Sequence, residues 1–244
     1  MKKVFLFAAL VFAVTQLSAK TEEENRNFRI PLIGEKAPSF TAESTAGTIN
    51  FPSDFGRNWK ILFSHPQDFT PVCSSEILEL ANLQNEFDKL GAKLVVLSTD
   101  PLATHVQWKK ALEELDYKGR TPVKIKFPLV DDEQLSVSKM YGMIHSSSNT
   151  TKSVRGVFIV DPNNVVQAIY FYPDNVGRST EELLRTVLAL KTASKENVLT
   201  PSDWKAGNDV LLPYLPKTDD KKTTENKDNF YNVSWFMIYK KSTM

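Results

Sequence analysis

Cysteine is nearly absent from this chain, which has one, Cys73, in 244 residues. A single cysteine excludes a disulfide within the chain and a metal site built from several thiolates. If Cys73 has chemistry, it acts as one thiolate. Glycine is also scarce, and the nine glycines are too scattered to form a phosphate-binding loop. The formal net charge of +1 gives no overall field that attracts nucleic acid, so we expect no nucleic-acid partner.

The first 19 residues have the composition of a secretory signal peptide. Lys2 and Lys3 precede an apolar run over 4–14, and small residues follow it up to Ala19. A basic start, a short apolar core and a small residue at the cleavage point are typical of export signals, and the run is too short to span a bilayer comfortably. We expect a signal peptide over 1–19 and a secreted or periplasmic protein. The alternative is an uncleaved anchor or a buried helix.

Apolar runs and helix caps alternate along the rest of the chain in an order that predicts an α/β fold with a central mixed sheet. Strands are predicted over 60–64, 93–98, 127–130, 156–160 and 165–171, after an early hairpin over 41–51. Helices are predicted from Pro71 to a C-cap at Gly91, from an N-cap at Asp100 to about 115, over 132–141, and from a capping box at Ser179 and Glu182 to about 192. This main domain covers 30–195. Beyond it, the aromatic stretch 230–239 predicts a small C-terminal subdomain over 196–244.

The residues before Cys73 favour a reactive thiolate. Thr70 as N-cap and Pro71 as first helical residue place Cys73 in the first turn of a helix. Unpaired backbone N–H groups and the positive end of the helix dipole stabilise a thiolate there. The alternative is a buried cysteine that packs as a small apolar residue. Glu76 stands where a Cys-x-x-Cys motif needs its second cysteine, so a peroxide oxygen is the natural electrophile and a sulfenic acid the first product.

The segment His65 to Glu76 closely resembles the peroxidatic loop of the peroxiredoxins, specifically of their 1-Cys group. The family pattern Pro-x-x-x-Thr-x-x-Cys falls on Pro66, Thr70 and Cys73. Other segments that resemble the family in order along the chain are 141–144, 154–162 with its active-site arginine at Arg155, 177–178 with a second arginine at Arg178, and 203–207 with the aromatic tail.

The resemblance implies a thioredoxin-like fold and a thiol peroxidase that reduces hydrogen peroxide and organic hydroperoxides. Cys73 would attack the peroxide, and Thr70 and Arg155 would stabilise the charge that develops as the O–O bond breaks. Pro66 would shield the thiolate from water, and Glu76 would orient an arginine, for which Arg178 is a candidate. His65 has either a contact near the thiol or a purely structural role.

The resemblance also implies partners. Without a second cysteine to resolve the oxidised form, the reductant would be an external thiol, either glutathione or a thioredoxin-like protein, and the chain would form a homodimer or a larger homo-oligomer. The alternative function is a redox sensor or holdase-like protein that oxidises Cys73 without rapid turnover. His105 and His145 lack a partner at metal-ligand spacing, and we expect no metal and no cofactor.

Overall fold

The computed structural model describes residues 29–149, 151–213 and 229–242, which form two compact units. Of the described residues, the first unit contains 29–81, 93–149 and 151–177, and the second contains 82–92, 178–213 and 229–242. Within the described residues, no helix has both the length and the apolar character needed to cross a membrane. The signal peptide predicted over 1–19 lies outside the described residues. The predicted domain boundary at 195 stays a prediction.

A five-stranded mixed sheet organises the first unit. Its strands are β3 (Trp59–Ser64), β4 (Ala92–Ser98), β5 (Leu129–Asp131), β6 (Arg155–Val160) and β7 (Val166–Tyr172), in the order β5-β4-β3-β6-β7. β4 and β5 are parallel, whereas β3 with β6 and β6 with β7 are antiparallel, which confirms the predicted fold class. Every residue of β3 and β6 is buried, which is why these strands read as continuous apolar runs. A separate antiparallel hairpin joins β1 (Phe40–Ala42) to β2 (Ile49–Phe51).

Four α-helices accompany the strands in the described residues. They are α1 (Pro71–Lys89), α2 (Leu102–Leu112), α3 (Ser136–Met140) and α4 (Thr180–Glu196), and a short 3-10 helix covers Ser53–Phe55. The second unit adds β8 (Val210–Leu211), β9 (Phe230–Ser234) and β10 (Met237–Lys240), in the order β8-β10-β9. The aromatic stretch 230–239 therefore forms two antiparallel strands, β9 and β10.

Aromatic side chains fill much of the core of the first unit. The rings of Phe40 and Phe51 stack at 5.2 Å, and Tyr141 meets Phe158 edge-on at 4.9 Å. The buried Tyr141 hydroxyl donates to the Pro38 carbonyl at 2.6 Å, so its polar end is paired inside the core.

The caps predicted at Ser179 and Gly91 are confirmed, whereas the Glu182 side chain does not form its half of the predicted capping box. The Ser179 hydroxyl accepts the Glu182 N–H at 3.1 Å and begins α4, while the Glu182 carboxylate bonds the side chains of Arg185 and Thr186. Gly91 follows α1 with φ +67°, and its N–H donates to the Asp88 carbonyl at 2.9 Å. α4 ends at Glu196, one turn later than predicted.

The predicted N-cap at Asp100 is wrong. α2 begins at Leu102, and the Leu102 N–H donates at 2.8 Å to the carboxylate of Asp131. Asp131 is the last residue of β5, so it is close in space but distant in sequence. The Asp100 carboxylate instead accepts from the Ser98 hydroxyl and from the Asp68 N–H, both at 2.8 Å. A tertiary contact thus replaces the local cap, and α2 also ends at Leu112, earlier than predicted.

The helix predicted over 132–141 is shorter than expected, since α3 covers only Ser136–Met140. The buried Asp132 carboxylate accepts the N–H groups of Val137 and Ser138 at 2.8 and 2.7 Å. Asp132 therefore pairs the first donors of α3 from outside the helix, and the residues between them form a turn with Leu135 at φ +59°.

Candidate active site

Cys73 lies in the first turn of α1 and is completely buried. Thr70 stands just before the helix, and its carbonyl accepts the Ser74 N–H at 2.9 Å. The Thr70 hydroxyl donates to the Gln67 carbonyl at 2.8 Å, which ties the loop to the helix start. The predicted first-turn position of the thiol is confirmed by this geometry.

A buried guanidinium faces the sulfur. Arg155 Nη1 lies 3.3 Å from Cys73 Sγ and 2.8 Å from Glu76 Oε2, although Arg155 is 82 residues from Cys73 in sequence. Its Nε and Nη2 both donate to the Asp174 carbonyl, at 3.0 and 2.5 Å. Two of these partners can carry negative charge, so the buried cation is compensated where it meets the thiol.

Glu76 therefore contacts an arginine, as predicted, and that arginine is Arg155. The Glu76 side chain is 3% exposed, and it lies one helical turn after Cys73 on the same face of α1. Arg178 is buried and precedes the Ser179 cap of α4 in the second unit. Its predicted pairing with Glu76 stays a prediction.

The loop before the helix is held by a buried carboxylate that the sequence did not single out. Asp68 Oδ1 lies 2.8 Å from His65 Nε2, and Asp68 Oδ2 lies 2.7 Å from Nδ1 of His105. His105 Nε2 in turn contacts the Val130 carbonyl at 3.0 Å. Burial raises the pKa of the Asp68 carboxyl, but the hydrogen bonds to His105 and His65 outweigh burial and leave this pKa below its usual value.

An indole covers the other side of this loop. The ring of the buried Trp108 lies 5.0 Å from the ring of His65, and its Nε1 donates to the Ser74 hydroxyl at 3.3 Å. Phe69, which has φ +54° and is 56% exposed, lies over Trp108 at 6.5 Å. Pro66 is buried within the same loop. Side chains from α2 thus hold the loop and the first turn of α1, and Arg155 contacts Cys73 and Glu76 of α1.

Among the described residues, one group could in principle offer three metal ligands. His65, Asp68 and Asp100 have ligand atoms within 4.8 Å of one another. The same atoms are used in hydrogen bonds, since Asp68 contacts both histidines and Asp100 holds the Asp68 N–H. The three side chains hold the loop in place through these hydrogen bonds.

Comparison with known proteins agrees with this geometry. The model of the AhpC/TSA family matches residues 33–169. A peroxiredoxin of Methanosarcina mazei is 42% identical over 217 residues, which cover 88% of this chain and 99% of that protein. The mitochondrial peroxiredoxin PRX1 of Saccharomyces cerevisiae is 36% identical over 220 residues, 86% of this chain and 81% of its own length.

Solved structures are similar over the same range. A yeast mitochondrial 1-Cys peroxiredoxin, studied for its resolution by glutathione and thioredoxin systems, superposes with a TM-score of 0.77 at 34% identity and covers 87% of this chain and 100% of its own. A cysteine-to-serine mutant of peroxiredoxin 6 from Arenicola marina gives a TM-score of 0.76 at 29% identity, over 87% and 98% of the two chains. This chain therefore belongs to the AhpC/TSA family and is a peroxiredoxin, a thiol peroxidase of the 1-Cys kind with Cys73 as its single cysteine.

Proposed function

We propose that Cys73 is the peroxidatic nucleophile and that Arg155, Thr70 and Pro66 form its site. The observation that carries this assignment is the contact of 3.3 Å between Arg155 Nη1 and Cys73 Sγ in the first turn of a helix. A guanidinium and the helix N-terminus both stabilise a thiolate, and the thiolate is the form of cysteine that attacks.

In the proposed reaction the Cys73 thiolate attacks the terminal oxygen of ROOH. A new S–O bond forms, the O–O bond breaks, and the electron pair of that bond leaves with RO⁻, which takes up a proton to give the alcohol, or water from hydrogen peroxide. Cys73 is oxidised by two electrons to the sulfenic acid as the peroxide is reduced. Arg155 stabilises the negative charge that moves from sulfur to the leaving oxygen, because its donors are already in place before the reaction.

Thr70 is assigned a second contact to the peroxide. Its hydroxyl hydrogen is directed at the Gln67 carbonyl, and the lone pairs of its oxygen are then suited to accept a hydrogen bond from the peroxide O–H. Pro66, which is buried and has no N–H, excludes water from the thiolate.

Glu76 and His65 support these groups. Glu76 orients Arg155 through its bond of 2.8 Å to Nη1. His65 contacts Asp68 and so holds the loop in place. Of the two roles that the sequence leaves open for His65, this contact favours the structural one. Arg178 is assigned a place near the pocket on the family resemblance alone.

An external thiol, glutathione or a thioredoxin-like protein, completes the proposed cycle. Its sulfur attacks the Cys73 sulfenic acid with loss of water, and a second thiol releases Cys73 as the reduced form. Because Cys73 is completely buried, the sulfur of such a reductant reaches it only after the residues that cover it move. The relative from yeast mitochondria is described with the same two kinds of reductant.

Substitution of Cys73 by serine tests the assignment. The Cys73→Ser variant keeps the size and the position of the side chain but removes the thiolate, and we expect it to consume no hydrogen peroxide with either reductant. Peroxidase activity in this variant would overturn the assignment.

We also propose that the chain is a homodimer formed through β7. In the described residues β7 is an edge strand of the five-stranded sheet, and its side chains from Gln167 to Tyr172, five of them apolar or aromatic, are only partly buried. Edge strands of this kind pair readily with a second copy.

Export is proposed from the sequence of residues 1–19. The basic start and short apolar core support a signal peptide and a secreted or periplasmic location. Mass spectrometry of the protein isolated from the exported fraction should give an N-terminus at Lys20. Recovery of the intact chain in the cytoplasm alone would contradict export.

A further inference from the structure

β6 begins with Arg155, β3 leads into the loop before Cys73, and these two strands lose their main-chain pairing with each other just before the site. The register between β3 and β6 ends at Phe63 opposite Val157. Beyond this point the Gly156 N–H donates to the Val154 carbonyl of its own segment at 2.9 Å. Arg155 therefore lies past the last register pair between β6 and β3, although its main chain still pairs with Tyr172 of β7. On the side that faces the loop after β3, its place depends on other contacts.

Two buried hydroxyls connect the segments at this point. The Ser64 hydroxyl donates to the Val154 carbonyl at 2.7 Å, and the Ser153 hydroxyl donates to the His65 carbonyl at 3.0 Å. The two Oγ atoms also lie 3.0 Å apart. Both serines are at most 1% exposed, so these bonds are shielded from competition with water.

A third contact continues this connection toward the surface. The Lys152 ammonium group donates to the side-chain oxygen of Gln67. Residues 152–154 thus bond residues 64, 65 and 67, which lead directly into the peroxidatic loop. Side-chain hydrogen bonds thus connect the two segments beyond the last register pair of β3 and β6.

We propose that Ser153 is a positioning residue for peroxide reduction, whose hydroxyl, together with that of Ser64, sets the place of Arg155 relative to Cys73. This inference rests on the proposed role of Arg155 in the reaction. Glu76 and Asp174 hold the tip of the guanidinium, whereas Ser153 holds the backbone two residues before Arg155.

The short distance between Arg155 and the Cys73 sulfur makes the position of Arg155 critical. The Nη1–Sγ distance of 3.3 Å leaves little room for displacement before the contact is lost. Loss of the Ser153 hydroxyl leaves the buried His65 carbonyl without this donor and removes a bond that holds the segment before β6 against the loop after β3. A displacement of about 1 Å in a reacting constellation costs up to about 100-fold in rate.

The test compares Ser153→Ala with Ser153→Thr, which keeps the hydroxyl group and adds one methyl group. The measured quantity is the second-order rate constant for oxidation of Cys73 by hydrogen peroxide. We expect Ser153→Ala to lower it by about 10- to 100-fold and Ser153→Thr to restore most of it. Ser44→Ala is the matched control, because the Ser44 hydroxyl is also buried and bonds a carbonyl, that of Gly47 at 2.6 Å, in the β1–β2 hairpin.

A double-mutant cycle with Arg155→Gln separates positioning from a general structural effect. If Ser153 acts through Arg155, Ser153→Ala slows the wild-type protein but adds little in the Arg155→Gln background. An equal loss in both backgrounds, or a wild-type rate in Ser153→Ala, overturns the inference. A wild-type rate in Arg155→Gln instead overturns the proposed role of Arg155.

A second variant keeps the test independent of how well Ser153→Ala folds. Ser64→Ala breaks the same connection from the β3 side, at the Val154 carbonyl. We expect it to reproduce the loss of rate, and the double variant of both serines to be no slower than about the slower single variant. A wild-type rate in Ser64→Ala contradicts the inference.

Discussion

Among the described residues, the Arg155 guanidinium makes four hydrogen bonds to three partners, and these bonds fix its position and orientation. Nη1 contacts Cys73 Sγ and Glu76, while Nε and Nη2 contact the Asp174 carbonyl. A buried cation is tolerated only when such partners compensate the loss of hydration. The planar fork of arginine can meet partners in two directions at once, which a single ammonium group cannot do.

Replacement of Arg155 by lysine should therefore slow the attack on peroxide although the charge is kept. We expect the rate constant for oxidation of Cys73 to fall by about 10- to 100-fold, since the variant loses pre-placed donors at the developing charge. Stopped-flow measurement with hydrogen peroxide gives this rate. Arg57→Lys, a substitution at an exposed arginine, serves as control and should leave the rate unchanged; an Arg155→Lys variant as fast as this control would contradict the account.

Residues close to Cys73 in sequence were easier to predict than their partners. Pro66, Thr70 and Cys73 stand in one short segment, and their order alone indicates their chemistry. Asp68 lies in the same segment, but its partner His105 is 37 residues away. In the sequence, His105 has no neighbour at metal-ligand spacing and so gives no sign of this contact. Ser64 and Ser153 are 89 residues apart. Contacts of this range depend on how the strands pair, which local patterns do not reveal.

At the scale of elements, caps were predicted where they are local and missed where they are tertiary. Ser179 caps α4 through a residue three positions away, and this pattern is visible in sequence. α2 instead begins with the help of Asp131, which comes 29 residues later, so the neighbouring Asp100 was a wrong choice.

Glu113 connects the end of α2 to the segment that follows. Its carboxylate accepts from the ammonium groups of Lys109 and Lys124 and from the Ile125 N–H. Burial raises the pKa of Glu113, but these hydrogen bonds outweigh burial and lower its pKa from 4.5 to about 2. The folded state thus favours the ionised form, which stabilises the protein above the unfolded-state pKa.

Glu113→Gln should lower the free energy of unfolding by about 1–2 kcal/mol at neutral pH, because the lost charge no longer attracts two lysines. The difference from wild type should shrink as the pH falls from 4.5 toward about 2, where Glu113 becomes protonated in the folded state. Urea denaturation across this range measures it. Glu114→Gln, at the exposed neighbour, is the control; a difference that persists at the lowest pH would contradict the ionic origin of the effect.

For the whole molecule, the alternation of strands and helices was enough to predict the mixed α/β sheet. Continuous apolar runs mark the buried strands β3 and β6, and the turn at 161–164 marks the hairpin from β6 to β7. The order of the five strands in space was not predicted, since β3 pairs with β6 across almost 100 residues. Long-range pairing of this kind carries no signal in a single sequence.

The proposed homodimer predicts a defined mass in solution. Because the chain has a mass of 27.6 kDa, light scattering after size-exclusion chromatography should give about twice this value, less the signal peptide where it has been removed. Hydrogen exchange should also be slower at β7 than at an exposed edge strand. A monomeric mass at micromolar concentration would contradict the proposed pairing.

The central claim is that Cys73 is built to react with peroxide, and single-turnover oxidation tests it most directly. The reduced protein is mixed with a substoichiometric amount of hydrogen peroxide in competition with free cysteine, and the sulfenic acid at Cys73 is trapped and quantified by mass spectrometry. The account predicts that Cys73 takes nearly all the peroxide and reacts at least about 100-fold faster than free cysteine, the effect of one pre-placed donor. A rate comparable with that of free cysteine would contradict the account and leave the protein as a slow redox sensor.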